Sequence, residues 1–350
     1  MRIVSLLPAA TEMVCRMGLG GSLVAVSHEC DFPAEVAGLP RVTRSRIPSD
    51  LDSGAIDSLV REHAAARRSL YEFDPAGIIP ELAPDLIITQ TLCDVCAVSD
   101  RDLQGIAVRL AKPPRIVHLR PHRFDDLFVG MEAIAEAAGD ARAAGRAIIE
   151  LRNRAQDVSL RAAAHQALTG VPLPDATRVM ILEWLDPPYT AGHWNPELVA
   201  LAGGREVLGV AGERSRQVDW GAICQADPEV LVIAACGWDV TRAQRELPLP
   251  QRIVECYPAL RELTCVRRDQ VFVVDASAYF SRPGPRLVDS LEWLAHLIHP
   301  DIHPRPGDRG DEGQAVGDVD AIRASHDGAT RVGHSASSPS SPQRVRLIAD

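Results

Sequence analysis

A chain of 350 residues exceeds what one hydrophobic core usually organises, so two domains of ordinary size are expected. Its formal charge of −10, with no basic face beyond short runs such as Arg41 to Arg46, argues against nucleic acid as a partner. No run approaches the roughly 20 apolar residues that cross a bilayer, which argues against an integral membrane protein.

Arg2-Ile3-Val4-Ser5-Leu6-Leu7 already reads as a core strand, with no basic and apolar leader before it. The sequence as written therefore reads as cytoplasmic, and a periplasmic or extracellular protein would need a start further upstream. Eight cysteines in such a chain are expected to be mostly reduced thiols rather than a disulfide framework.

Short β-branched runs alternate with helical patterns, the signature of parallel strands joined by crossover helices. The predicted strands are 2–7, 22–27, 85–90 and 115–119, then 177–184, 229–234 and 269–275. One phrase recurs between the groups. Glu81-Leu-Ala-Pro-Asp85 runs into Leu-Ile-Ile-Thr-Gln, and Gln225-Ala-Asp-Pro-Glu229 runs into Val-Leu-Val-Ile-Ala. Each is a helix end, a proline stop and a buried strand, which points to two lobes of related design.

Residues 124–168 carry no strand signal, and Gly139-Asp140 reads as a helix stop followed by an N-cap. From there Ala141, Ala144, Ile148, Leu151, Ala155 and Val158 recur at spacings of three and four on an otherwise charged helix. Such a helix of about 27 residues runs about 40 Å, enough to bridge two lobes, although it would also suit one larger domain. The expected division is an α/β lobe over 1–123, a helical connector over 124–168, a second α/β lobe over 169–300 and a disordered Asp, Gly, Ser and Pro-rich tail over 301–350.

In open parallel α/β sheets ligands bind at the carboxyl ends of strands. The first strand ends in Pro8-Ala-Ala-Thr11, where Thr11 either meets a ligand's anionic group or caps a helix. The second ends in Ser27-His28-Glu29-Cys30-Asp31. The third runs into Cys93-Asp-Val-Cys96, two metal or redox ligands that Cys30, Cys236 and His28 would have to complete as a zinc or iron-sulfur site. The alternative is that these cysteines simply pack.

In the second group, Trp184 and Asp186 follow one strand, His193 and Trp194 come soon after, and Trp238 and Tyr279 follow the last two. Aromatics are scarce here, at 4%, so their grouping suggests flat surfaces for a large planar ligand, while Trp220 and Trp293 are expected in the core. Prolines and a glycine fix Tyr279-Phe-Ser-Arg282-Pro-Gly-Pro-Arg286, which offers Arg282 as a rigid fork donor. Arg286 is expected to cap or pack on a terminal helix at 285–298. Gly18-Leu-Gly-Gly21 follows a helix and reads as its C-cap. No hydrolase, kinase or dehydrogenase motif is present, so the chain reads as a binding protein rather than an enzyme.

The opening Arg2-Ile-Val-Ser-Leu-Leu-Pro-Ala-Ala-Thr-Glu12, the phrase Ala83-Pro-Asp-Leu-Ile-Ile-Thr89, the segment Trp194-Asn-Pro-Glu-Leu-Val-Ala-Leu-Ala-Gly-Gly204 and the ending Arg282-Pro-Gly-Pro-Arg286 resemble the Fe³⁺-siderophore and vitamin B12 periplasmic-binding proteins of ABC importers. The likeness covers about residues 1–300, and the Ser-His-Glu-Cys-Asp and Leu-Cys-Asp-Val-Cys phrases resemble those of cobalamin-binding sequences. The resemblance implies two small Rossmann-like lobes joined by one long helix, the class III periplasmic-binding-protein fold, with limited hinge motion. It also implies an ABC importer as partner and a corrinoid (cobalamin) or related metal chelate between the lobes. The expected ligand-binding residues are Pro8, Thr11, His28, Glu29, Trp184, Asp186, His193, Trp194, Trp238, Tyr279 and Arg282. The competing expectation is an intracellular metalloprotein or redox protein using Cys30, Cys93, Cys96 and Cys236.

Overall fold

The computed structural model describes residues 1–48, 51–66, 68–91, 110–170, 176–246, 251–306 and 343–344, together with Leu103 and Gly105. Its first half builds β1 (Ile3–Ser5), α1 (Pro8–Arg16), β2 (Leu23–Val26), β3 (Thr43–Ser45), α2 (Ser53–Ala65), β4 (Tyr71–Phe73), α3 (Ile79–Leu82), β5 (Leu86–Gln90) and β6 (Arg115–Leu119). Four of these strands form a parallel sheet in the order β2-β1-β5-β6. Ile3, Val4, Leu86, Ile87 and Ile88 are all buried, as expected of parallel strands covered on both faces.

Helix α1 opens with Pro8 at its first position, where the missing N–H costs nothing. It closes through Gly18, at φ +78°, with Gly18 N–H bonding Cys15 O and Leu19 N–H bonding Val14 O. Gly18 thus closes the helix C-terminus, as the sequence implies. Strands β3 and β4 pair antiparallel in a separate two-stranded sheet that carries α2 between them, an excursion with no strong sequence signal.

Two helices follow, α4 (Asp126–Ala137) and α5 (Ala143–Thr169). With 27 residues, α5 is the long helix that the periodicity predicts. Ala144, Ile148, Leu151, Ala155 and Val158 are buried along one stripe, whereas Ala141 is exposed and precedes the helix. Asp140 is not the cap: Arg142 holds that position, and Asp140 instead accepts a main-chain bond from Ala143 at 3.0 Å within the turn opened by Gly139.

The second half comprises β7 (Arg178–Leu185), β8 (Pro188–Thr190), α6 (Asn195–Leu201), β9 (Arg205–Glu206), α7 (Trp220–Ala226), β10 (Val230–Ile233), α8 (Val240–Glu246), α9 (Gln251–Cys256), α10 (Thr264–Arg267), β11 (Val271–Val273), α11 (Leu287–Ile298) and β12 (Gln343–Arg344). The sheet order is β12-β11-β10-β7-β8, with β9 also on β7; β10 is parallel to β7 and β11. The repeated phrase has one structure in both halves. Ala83 and Asp227 both take left-handed φ, +39° and +41°, and Asp85 N–H and Glu229 N–H bond Arg2 O and Arg178 O at 2.8 Å each.

The long helix packs on α4 and on α11, and one apolar cluster runs from Met13, Phe128 and Met131 through Leu151 and Val158 to Leu291 and Leu294. Arg16 pairs with Glu150 on the first side, and Arg154 reaches Asp289 at 2.5 Å and Glu292 at 2.8 Å on the second. This is the architecture of the class III periplasmic-binding proteins, two α/β lobes on one helix. Trp220 and Trp293 lie in the core as expected. In the tail, Gln343–Arg344 pairs antiparallel with β11 as an edge strand. Residues 307–342 and 345–350 lie outside the described residues.

Candidate ligand-binding cleft

Loops leaving the carboxyl ends of the strands of both lobes meet along one boundary, which places the candidate site there. At one end of that boundary α2 lies against the second lobe. Trp184 Nε1 donates to Ser53 O at 3.2 Å, and Arg242 Nη2 to Leu51 O at 2.6 Å. Arg61, bonded to Asp57 one turn earlier at 2.7 Å, donates to Gln217 Oε1 at 2.7 Å and to Tyr189 OH at 3.2 Å. Gly54 follows the Asp52 cap, and a Cβ there would stand 4.0 Å from Asp186 Oδ2.

Further along the boundary Arg282 forks onto Asp31, with Nη1 to Oδ1 at 2.5 Å and Nη2 to Oδ2 at 3.1 Å, and also donates to Glu29 O at 3.1 Å. The fork expected from the sequence is therefore present, but a residue of the opposite lobe accepts it. Arg286 donates to both carboxylate oxygens of Glu12 and also sits 4.5 Å over the Phe32 ring. Burial pushes the Glu12 carboxyl up, and Arg286 pulls it back. The loop comes so close to α1 that a Cβ on Gly284 would stand 3.2 Å from Ala9 Cα.

Glu29 belongs to this boundary through its carbonyl, and His28 precedes it in the same loop. His28 Nδ1 is 2.7 Å from Thr43 Oγ1, its ring lies edge-on to Tyr71, and Tyr71 OH donates to Glu29 Oε1 at 3.0 Å. Burial lowers the His28 pKa, with Glu29 opposing and Arg41 adding to the shift, so the neutral ring is favoured.

The expected aromatic plates are not equivalent. Trp184 is half-buried at the boundary, with Trp238 tilted behind it at 5.0 Å between rings and itself buried. Trp194 is a core residue whose Nε1 donates to Phe280 O at 2.9 Å. Tyr279 is also buried, and its hydroxyl is pushed up to about 12 by burial and by Asp289. Both rings belong to the apolar cluster that also holds Met13 and Phe128 of the first lobe.

Pro8 and Thr11 are likewise buried. Thr11 lies in the second turn of α1 rather than at its cap, and its hydroxyl bonds Ser5 Oγ at 2.8 Å and contacts Cys30 Sγ at 3.1 Å. His193 takes φ +52° after Gly192, where a Cβ would meet Ser215 N at 2.3 Å and only glycine fits. Its ring stacks on Trp194 and faces His122 of the first lobe edge-on at 5.9 Å. Burial, His122 and Arg214 lower its pKa to about 4.

Of the cysteines expected to bind metal, Cys93 and Cys96 lie outside the described residues. Cys30 is buried and hydrogen-bonded, with its thiol pushed up by burial, whereas Cys236 is exposed beyond the end of β10. Among the described residues no group of three or more His, Cys, Asp or Glu side chains is placed to hold a metal ion. No described helix is long and apolar enough to cross a membrane. Sequence reasoning missed Arg61, Tyr71 and Arg242. The one local signal was the Asp57-x-x-x-Arg61 pair, whose spacing marks a helix face but not what it meets.

No family model matches the chain. Among characterised sequences, it is 24% identical over 311 residues to the vitamin B12-binding protein of Vibrio cholerae serotype O1, covering 85% of this chain and 88% of that protein. It is 23% identical over 311 residues to an uncharacterised ABC transporter substrate-binding lipoprotein of Bacillus subtilis strain 168, covering 86% and 80%. Among solved structures, the periplasmic vitamin B12 binding protein of Vibrio cholerae superposes with a TM-score of 0.58 at 23% identity, over 85% of this chain and 96% of that one. A periplasmic heme binding protein from Pseudomonas aeruginosa superposes with a TM-score of 0.63 at 19% identity, over 86% and 93%. The resemblance read from the sequence is thus matched in sequence and in fold. The names are those of periplasmic proteins and a lipoprotein, and they lend no support to a cytoplasmic placement.

Proposed function

We propose, from a fold shared with periplasmic-binding proteins of the siderophore and vitamin B12 type, that this chain is the substrate-binding protein of an ABC importer. Its ligand is a corrinoid, or a related metal chelate, held between the lobes on the outer side of the cytoplasmic membrane. The observation that carries this reading is the convergence of strand-end residues from both lobes on one boundary, where Trp184, Glu29, Asp186 and Arg282 meet it and His28 stands next to Glu29 in the chain. Trp238 supports Trp184 from behind. Pro8, Thr11, His193, Trp194 and Tyr279 support the reading as residues that shape the walls. Binding requires no covalent step from the protein.

The test is an absorption titration of the purified protein with cyanocobalamin, with hemin in parallel. Saturable binding of one cobalamin per chain is expected, weakened about tenfold or more, equivalent to about 1.4 kcal/mol, by Trp184→Ala. Saturation by hemin alone would reassign the ligand to a porphyrin, and saturation by neither would remove the metal-chelate reading.

A further inference from the structure

The two lobes are joined in a way that resists separation. Met13 and Phe128 of the first and Trp194 and Phe280 of the second belong to one apolar cluster, and the Arg286–Glu12 pair crosses the boundary. Parting the lobes would open that core to water and strand two buried charges.

Helix α2 is attached differently. Arg46 N–H bonds Leu70 O at 2.8 Å, which ties together the two legs of the excursion that carries it. Of its 13 residues only Ser53 is buried, and among the described residues none of its side chains joins an apolar cluster. Its bonds to the second lobe are polar. Ser53 O accepts from Trp184, and Arg61, 53% exposed, donates to Gln217 and to Tyr189, whose hydroxyl in turn donates to Asp57 Oδ1 at 3.3 Å. Leu51 O, just before the helix, accepts from Arg242, whose guanidinium lies 5.1 Å over the Trp238 ring. The start of α2 is thereby held against the Trp184–Trp238 pair.

We propose that α2 is a lid over the Trp184–Trp238 pair, which lifts off the second lobe to admit the ligand while the lobes keep their mutual position. The proposal rests on the cleft being the ligand site. Exposed ion pairs and hydrogen bonds contribute little apiece, so the latch at Arg61 and Ser53 releases without unfolding either core. A lifted helix of 13 residues is marginal in water and opens its amides to solvent, which makes the motion measurable. Closure also sets the rate of entry, because only the open fraction of molecules accepts a ligand.

The test is amide hydrogen exchange on the full chain, alongside stopped-flow mixing with cyanocobalamin. Amides of α2 are expected to exchange about a hundredfold or more faster than those of α1 and α4. Arg61→Ala should speed exchange in α2 by about a further threefold or more, leave 9–16 and 278–286 unchanged, and speed cyanocobalamin association by a similar factor. Exchange in α2 as slow as in α1 would overturn the proposal. So would an Arg61→Ala variant in which 9–16 and 278–286 accelerate together with α2, since the lobes would then part as bodies, or one that binds cyanocobalamin at the parent's rate. If cyanocobalamin binds neither protein, the corrinoid reading falls, and the exchange rates alone decide for or against the lid.

Discussion

Arg286 and Glu12 stand 274 positions apart and form a two-point ion pair across the lobe boundary, Nη2 to Oε1 at 2.6 Å and Nε to Oε2 at 3.0 Å. Both side chains are buried, at 8% and 2% exposure, so neither charge can fall back on water if the other is removed. Desolvation of such a pair is costly, and what it contributes is a fixed geometry more than net stability.

It follows that either Glu12→Gln or Arg286→Met alone should lower unfolding free energy by about 3–5 kcal/mol, because each strands one buried charge. The double variant Glu12→Leu/Arg286→Met should cost less than either single change. Urea denaturation of the three variants checks this, and a double variant as unstable as the sum of the singles would contradict it.

Trp184→Phe keeps an aromatic ring beside Trp238 and deletes the bond to Ser53 O. A loss of about 1 kcal/mol in stability is expected, with faster amide exchange in α2 and little change elsewhere. Unchanged exchange in 53–65 would mean that the bond does not hold the helix.

His193 supplies a pH dependence. Its pKa falls from 6.5 to about 4 on folding, so the unfolded chain binds the proton more readily and the neutral ring favours the fold. Its contribution is complete above about pH 6.5 and is lost as pH falls through 4. Glu206 works oppositely: burial raises it to about 7 against four backbone N–H donors, so its contribution is complete below about pH 4.5 and is lost as pH rises through 7. His193→Gln should therefore flatten the acid side of a stability profile, and Glu206→Gln should flatten the opposing slope towards pH 7. Profiles of both variants that run parallel to the parent would count against the assignment.

Gly192→Ala should destabilise by about 3 kcal/mol, because the new methyl meets the backbone at Ser215 N and Glu213 O rather than a movable side chain. Thermal unfolding measures it. Gly18→Ala is the control: its Cβ meets nothing within 4 Å, so only the left-handed φ is penalised, and a smaller loss is expected.

The strands and the long helix were legible because burial imposes a period on the residues themselves: continuous apolar runs at 86–88 and 230–233, and a stripe of three and four along α5. The cleft was legible only in part. Scarcity made Trp184, Trp194, Trp238 and Tyr279 conspicuous, yet a large ring suits a core as well as a ligand, and the sequence does not say which neighbours enclose it. Trp194 and Tyr279 are buried, whereas Trp184 meets the other lobe at Ser53. The pairing of Arg282 with Asp31 depends on how the lobes come together, which no local pattern records. The same is true of α2, whose part in the boundary rests on residues more than 120 positions away.

Three of the donors that cross the boundary, Trp184, Arg242 and Arg282, end on main-chain carbonyls of the first lobe, at Ser53, Leu51 and Glu29. A carbonyl is present whatever side chain the residue carries. Residues 29, 51 and 53 can therefore drift in identity while the lobes keep their mutual register, provided the backbone holds its course. Selection on this rim is then free to act on what the side chains meet in solution, and homologues with one closed geometry can diverge in the molecules they accept.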